Sequence, residues 1–485
     1  MVNRFLRLLM VAACIGCCAC LGWIVRWSRW VLRRPPRVTH GICPLHSLRE
    51  SVLADRSVGG LARSVVLYAR QLNTYDLTTE EEFDVVFSRS AIEATGTHWW
   101  RSLCYFLLNT DIWSTTFRPF LLGRHERANA LILRLMKAVG IRIVVYPYGT
   151  DVAWRDKIRD RFDFMGELQL DYPDWDLEEW GNSTRANVRV FSKFADIVIG
   201  TDGSLRRFLL RNDIYCKTIP VDTHSLTPLA GPANNNPPVI VHAPNHRNIK
   251  GTQFLLDSLD DLRRVGIPFE LRLVEKVRRT DAIEIYRQAD IIADQFVMGA
   301  YGVFALECLA LGKPVLTYLD HDHLSIPVFN LPIVNTNKFN LSRVLAILLQ
   351  IPELRSRLGA AGRAAVVKYQ SLEAIGELNK VIYDHLWWHK PLALENTAHF
   401  DSRRTTRSFT EDPGSEDFWP VAVGDLMQNI SEALLKIQSP YVESSNFLGA
   451  GISSESLTHE SHGEPGITTT ASASRPLVPS VGTNQ

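Results

Sequence analysis

Residues 295–315 read QFVMGAYGVFALECLALGKPV, and this stretch decides how the chain is parsed. Gly299 and Gly302 bracket a loop that runs into an apolar helix. Gly312 stands where that helix must stop, and Pro314 opens the next strand. A helix entered from such a loop presents unbonded N–H groups, which suit a pyrophosphate. Glu307 lies a turn and a half inside the helix. There it either accepts from a ribose diol or is an exposed glutamate favoured by the helix dipole.

Upstream, NHRNIKGT at 245–252 follows an apolar strand at 239–241 and precedes a helix over 254–265. A loop in that place aims Arg247 and Lys250 at an anionic group, and Gly251 allows close backbone approach. By itself the same string also serves as a solvated basic turn. Strands at 269–274, 291–293 and 314–318 then alternate with helices at 282–288, 303–311, 341–349 and 356–369. That alternation predicts βα units around a parallel sheet.

Residues 228–238, PLAGPANNNPP, continue neither a helix nor a central strand and read as a linker. A first alternating unit precedes them. Strands are expected at 38–42, 83–87, 141–146 and 197–199, with helices at 128–139 and 205–210. After Gly59-Gly60 a helical pattern runs through Leu61, Val65, Leu67, Tyr68 and Leu72. YPYGTD at 146–151 follows a strand and places Gly149, Thr150 and Asp151 at a strand's carboxyl end. Asp151 either accepts from a hydroxylated ligand or caps the next helix. Two doubly wound domains joined by a linker leave a cleft, and ligands bind at the carboxyl ends of such strands.

The chain has 485 residues, 46% hydrophobic and 22% charged, with a formal net charge of +1. This composition is globular, and the absent basic excess argues against a dedicated nucleic-acid binder. Residues 390–485 carry 6 basic and 12 acidic groups, so the rest of the chain is basic. Of eight cysteines, Cys14, Cys17, Cys18 and Cys20 sit in the first apolar stretch, and Cys43, Cys104, Cys216 and Cys308 are scattered. Without paired C-x-x-C spacing, neither a zinc site nor a disulfide framework is expected, and a reducing compartment is the simpler reading.

Residues 8–25 carry no charge, which nearly suffices for a helix to cross a hydrocarbon core of about 30 Å. Trp23, Trp27 and Trp30 follow as interfacial aromatics, and Arg26, Arg29, Arg33, Arg34 and Arg37 outnumber Arg4 and Arg7 on the other side. The positive-inside bias predicts a single-pass anchor with the bulk of the chain on the cytoplasmic side. A cleaved signal peptide and lipidation at Cys14 compete, and the cysteines also serve as small apolar filler. At the other end, a helix is expected over 372–388. An amphipathic one follows over 417–437, with Val423, Leu426, Ile430, Leu434 and Ile437 on one face. A disordered tail is expected from Ser439.

Taken in order, the basic K-G loop, RQADII at 287–292, the glycine loop with Glu307 and ALGKPV at 310–315 resemble the retaining GT-B glycosyltransferases of the glycosyl transferases group 1 family. The resemblance covers residues 239–369. It extends more loosely to the first half through FDVVF at 83–87, VGIRIVVY at 139–146 and FADIVIG at 194–200. It implies an α/β chain of two Rossmann-like doubly wound domains. Residues 1–37 would be the anchor and basic flank, 38–227 the acceptor domain, 228–238 the linker and 239–370 the donor domain. Residues 371–390 would be a helix crossing back to the first domain, and 391–485 a helix plus low-complexity tail.

The resemblance further implies transfer of a sugar from a nucleotide-sugar donor to a glycan or lipid-linked acceptor at the membrane, with retention. No metal or other cofactor and no nucleic acid is expected. By position, Arg247 and Lys250 would hold the leaving diphosphate and Glu307 the ribose hydroxyls. Asn245, Gly251, Gln295, Ala300, Tyr301 and Gly302 would surround the donor, facing Gly149, Thr150 and Asp151. The chain departs from the pattern at Gly299, where the family carries the first of two glutamates, which leaves a different sugar, a substitute from Asp294 or Gln295, or lost catalysis. It departs again at Asn245, where the family's arginine stands five residues before the lysine. A non-catalytic nucleotide-sugar-binding or scaffold protein and a nucleotide-sugar epimerase are the competing readings. His98 and His125 are candidate bases by residue type only.

Overall fold

The computed structural model describes residues 2–43, 45, 47–67, 83–87, 99–118, 126–154, 164–200, 203–215, 219–231, 235–320, 331–397, 412–415, 418–419 and 426–438. Two parallel sheets organise them. The first contains β1 (Arg37–Ile42), β2 (Leu61–Val66), β3 (Val85–Val86), β4 (Ile112–Thr115), β5 (Arg142–Val145), β6 (Ile197–Gly200) and β7 (Ile214–Tyr215), in the order β3-β2-β1-β4-β5-β6-β7. The second contains β8 (Val239–His242), β9 (Glu270–Leu273), β10 (Ile291–Ala293), β11 (Val315–Thr317) and β12 (Val334–Asn335), in the order β12-β11-β10-β8-β9. Neighbouring strands pair in parallel throughout, with Val38 opposite Ile112 and Ile291 opposite Ile240.

Burial on both faces explains why strands such as Val239–His242 are apolar without alternation. Strand order reverses between β1 and β4 and between β8 and β10, which opens a crevice at the carboxyl ends there. These are the two Rossmann-like domains expected of a GT-B chain.

One helical expectation is corrected. Leu61–Val66 is a strand, paired with β1 from Leu61 opposite Arg37 to Val66 opposite Ile42. The spacing of Leu61 and Val65 fits both periods, but the β-branched Val65 and Val66 lie fully buried between β1 and β3. The helix of this unit comes earlier, at Ser47–Ser57 (α2). Tyr68 and Leu72 lie outside the described residues. Strand β4 was not anticipated. Its IWST sequence is short and half hydroxylated, yet all four residues are buried.

Before the sheet comes α1 (Val2–Val31), whose segment Leu8–Val31 is long and apolar enough to cross a membrane. It packs on α3 (Trp99–Asn109). The first domain adds α4 (Glu126–Ala138), α5 (Phe164–Asp171), α6 (Leu177–Phe194) and the short α7 (Gly203–Arg206). Gly140 ends α4 with φ +88°.

The second domain carries α8 (Arg247–Lys250), α9 (Thr252–Arg264), α10 (Arg279–Arg287), α11 (Val303–Ala310), α12 (Leu341–Gln350) and α13 (Pro352–Gln370). Then α14 (Leu372–Trp388) crosses back onto α2. Gly376 lets it lie against the Ala54 carbonyl, and Asn379 donates to Asp55 Oδ1 at 2.8 Å. Asp55 Oδ2 in turn meets His40 Nε2 at 2.7 Å, so β1, α2 and α14 share one buried polar cluster.

The last described helix, α15 (Met427–Gln438), covers the second domain beside α12 with Ile430 and Ala433 buried. Val423 and residues 439–485 lie outside the described residues. Met1–Pro440 forms one compact unit, which contains both sheets.

Candidate functional site

A cavity of about 300 Å³ opens between the domains, at the carboxyl ends of the strands. The first domain contributes Tyr148, Gly149 and Thr150 from the loop after β5, together with Tyr172 and Trp175 beyond α5. The second contributes Asn245, His246, Lys250, Gln295 and the run Ala300, Tyr301, Gly302, Val303. A larger cavity, about 430 Å³, lies under the linker, lined by Pro228, Gly312, Lys313 and Pro314. It sits at the amino ends of β10 and β11, the wrong end of a doubly wound sheet for a ligand site.

Lys250 is the last residue of α8, and its ammonium reaches the switch point between β8 and β10. It donates to Asp294 Oδ1 at 2.7 Å and to Gln295 Oε1 at 2.8 Å. Asp294 is fully buried and also accepts from Thr317 Oγ1 at 3.1 Å. The Gln295 amide donates to the carbonyl of Ala300, which ties the glycine loop to the same group. That loop enters α11 at Gly302, where no side chain caps the helix. Gly302 and Val303 line the cavity, so the positive end of α11 faces it.

Opposite lies a ladder of rings. Tyr172 stacks on Trp175 with centroids 4.2 Å apart, and Trp175 on Trp180 at 4.9 Å. Arg118 covers the far ring at 4.9 Å. The Tyr172 hydroxyl hydrogen-bonds His246 Nε2 across the domain boundary. Burial lowers the His246 pKa, Asp171 opposes that shift and Lys250 adds to it. Asp171 also spans the boundary. It accepts from Asn248 N at 3.2 Å, Asn248 Nδ2 at 2.9 Å and Ile249 N at 3.0 Å, capping α8 from the other domain.

The residues singled out in the sequence divide into two groups. Gly149, Thr150, Asn245, Lys250, Gln295, Ala300, Tyr301 and Gly302 meet around one cavity. Four others do not line it. Arg247 turns outward and grips Glu275 with two bonds, at 2.8 and 2.6 Å. Gly251 stands behind the cavity with φ +71°, closing α8 and opening α9. A Cβ there would press on Phe254, Phe296 and Val297 at 3.1–3.3 Å.

Asp151 is buried and spends its oxygens on backbone amides: Tyr148 N at 2.9 Å, Gly149 N at 2.8 Å and Phe117 N at 3.1 Å. Burial raises its pKa, and Arg118 with these amides opposes the rise. It shapes the Gly149 loop from below. Glu307 is buried and accepts from Arg279 Nε at 3.0 Å. Arg279 also faces Glu50 of α2 at 3.6 Å, so this cluster bridges the domains. Burial raises the Glu50 pKa, and Arg279 opposes it.

At Gly299, an added Cβ would lie 2.5 Å from Asp320 Cβ and 2.9 Å from its nitrogen. Asp320 in turn holds Arg207 of the first domain at 2.7 Å. His98 and His125 lie outside the described residues. Asp171, Tyr172, Trp175 and His246 were not singled out in the sequence. The run DYPDWDLEEW at 171–180, dense in rings and carboxylates, was the available signal. Among the described residues, the sulfurs of Cys14, Cys18 and Cys104 lie within 4.8 Å of one another, remote from the cavity.

No family model matches this chain, and no curated protein matches it. Solved structures do. A sucrose-phosphate synthase from Thermosynechococcus elongatus is 12% identical, spans 74% of this chain and 100% of its own, and superposes with a TM-score of 0.48. The Anabaena HepE protein in complex with UDP is 12% identical, over 71% of this chain and 98% of its own, with a TM-score of 0.48. The catalytic domain of starch synthase IV from Arabidopsis thaliana, bound to ADP and acarbose, is 12% identical over 73% and 100%, with a TM-score of 0.47. Likeness at this level establishes neither a family nor the role of any residue.

Proposed function

We propose that this protein is a glycosyltransferase that passes a sugar from a nucleotide-sugar donor to a glycan or lipid-linked acceptor at a membrane surface, with retention of configuration. One observation carries the proposal. Lys250 and the uncapped start of α11 converge on the interdomain cavity, across from a platform of stacked rings.

When the glycosidic bond to a nucleoside diphosphate breaks, negative charge grows on the departing phosphate oxygen. A cation and oriented amides placed there beforehand stabilise that charge more than they stabilise the bound donor. In this state Lys250 is neutralised by Asp294. A diphosphate entering the cavity competes for the ammonium, and Asp294 keeps the Thr317 hydroxyl. Asn245 and Gln295 supply polar contacts from the donor side, and the faces of Tyr172 and Trp175 offer a stacking surface for a base or a pyranose. The acceptor enters from the Gly149–Thr150 side. Arg247, Gly251, Asp151 and Glu307 serve the site from behind, by shaping α8, the Gly149 loop and the domain contact. The apolar α1 attaches the protein to the membrane, with the two domains on the cytoplasmic side.

Gly299 favours a second reading, a non-catalytic nucleotide-sugar binder, because the donor side lacks the carboxylate of the resembling family. The experiment incubates the full chain in detergent with UDP-, ADP- and GDP-sugars and measures released nucleoside diphosphate. Release that Lys250→Ala abolishes is the expected result. Binding without release would establish the binder, and a changed sugar still on its nucleotide would establish an epimerase.

A further inference from the structure

The N-terminal helix is apolar enough to cross a bilayer, yet one of its faces is already occupied. Val11, Ile15 and Cys18 are half-buried, and Ala19, Gly22 and Arg26 are buried. These positions recur every three or four residues, which makes a continuous seam along the helix. The partner is α3, whose chain leads straight into the central strand β4. At Gly22 the fit leaves no room for a side chain, because a Cβ would overlap the Leu107 carbonyl.

Arg26 closes the seam. Its Nε donates to Val139 O at 2.7 Å, and its Nη1 to Leu107 O at 2.8 Å and Thr110 O at 3.0 Å. It therefore satisfies carbonyls at the ends of both α3 and α4, which carry the negative pole of each helix. Beyond it, Arg29 Nε bonds Asp111 Oδ2 at 3.1 Å, and Trp387 Nε1 donates to Arg34 O at 3.1 Å.

A crossing helix would have to leave this seam or pull α3, and with it the sheet, into hydrocarbon. The opposite face is bare. Leu9, Met10, Leu21, Trp23, Ile24 and Trp27 are all exposed, and Arg33 and Arg34 stand exposed at the end of the helix. Indole rings settle at the headgroup level, and arginines there attract anionic lipid.

We propose that α1 does not cross the bilayer but lies in one leaflet. Its seam stays on the first domain, its bare face enters the boundary between headgroups and acyl chains, and both chain ends remain on the same side. The occupant of that face is an anionic phospholipid leaflet. This rests on the membrane attachment proposed above and replaces the single crossing expected from the sequence.

Two measurements on the full chain test it. The first places one epitope tag before Met1 and another after Gln485 and exposes sealed vesicles to protease from the side of the domains. Both tags are expected to be digested. A protected N-terminal tag beside a digested C-terminal one would overturn the proposal in favour of a spanning helix. The second uses a variant with Cys14, Cys17 and Cys20 changed to Ser. In the membrane fraction, copper phenanthroline and oxygen take two electrons and two protons from Cys18 and Cys104. The expected product is an intramolecular crosslink between α1 and α3, formed as fully as in detergent. Its absence in membranes alone would show that α1 undocks there.

Binding to vesicles of phosphatidylglycerol and phosphatidylcholine separates the two layers of the claim. The double variant Trp23→Ser, Trp27→Ser lies off the seam, so it should weaken binding about tenfold while leaving Tm unchanged. Failure of the unaltered chain to bind any vesicle would remove the membrane attachment itself and the in-plane helix with it.

Discussion

Changing Lys250 to Met separates the structural part of this residue from its part in binding. The Lys250 side chain is mostly buried, at 14% exposure, and its ammonium faces a carboxylate on Asp294 that is fully buried. Removing one member of a buried pair strands the other, at a cost of about 3–5 kcal/mol. Asp294 keeps the Thr317 hydroxyl and Lys250 is not wholly enclosed, so the lower end applies. A loss of about 3 kcal/mol corresponds to a Tm lower by roughly 6–12 °C, at about 2–4 °C per kcal/mol for domains of this size.

The double variant Lys250→Met, Asp294→Asn removes the stranded charge. It should recover all but about 1 kcal/mol, because a neutral amide is far cheaper to bury than a carboxylate. Binding behaves differently. Both variants lack the cation, and a charge-assisted hydrogen bond is worth about 1.5–3 kcal/mol, roughly 10- to 150-fold in Kd. Thermal unfolding and titration calorimetry with UDP and ADP measure the two effects side by side. A double variant that binds both nucleotides like the unaltered protein would refute the placement of a diphosphate at Lys250. A single variant with unchanged Tm would refute the buried-pair argument.

Two further outcomes follow from the same geometry. Burial at the end of β8 brings the His242 imidazole down to about 4, while an unfolded chain protonates it near 6.5. Above pH 6.5 neither state holds the proton. Between there and pH 4 only the unfolded state does, so stability falls with pH by a total of about 3 kcal/mol. Urea unfolding at pH 7 and pH 5 should show that slope, and His242→Gln should flatten it; a wild-type protein equally stable at both values would contradict the buried neutral ring. At the glycine loop, Gly299→Glu drives a side chain into Asp320, so Tm should fall, with overpacking costing about 1–3 kcal/mol, and donor release should not rise above that of the unaltered chain. Faster release without loss of stability would mean that the loop has room for the missing carboxylate.

Much of the second domain was legible in the chain itself. Strands β8 to β11 and helices α9 and α10 follow from local apolar runs, turn residues and helix stops, whereas the basic loop closes into a turn of helix at α8. Parallel strands buried on both faces need no alternation to be recognised. The same local signals placed Lys250, Gln295 and Gly302 after strand ends, where a doubly wound sheet gathers its ligands. The first domain was harder. Leu61–Val66 satisfied two periodicities, and pairing with β1 decided between them. The IWST of β4 is too short and too polar to announce a central strand.

Side-chain direction was beyond local reading. Arg247 and Lys250 stand three residues apart on one short helix, yet Glu275 draws the first outward and Asp294 the second inward. Glu307 was captured by Arg279, and α8 was capped by Asp171 from the other domain. Composition likewise marked α1 as apolar but not as docked. Hydropathy sums single residues, whereas the seat of Gly22 and the three carbonyls held by Arg26 exist only once α3 and α4 are folded beside it. Periodicity along a chain determines which elements form. Partners distant in sequence determine where charged groups point, because that choice is settled by the free energy of contacts that only folding creates.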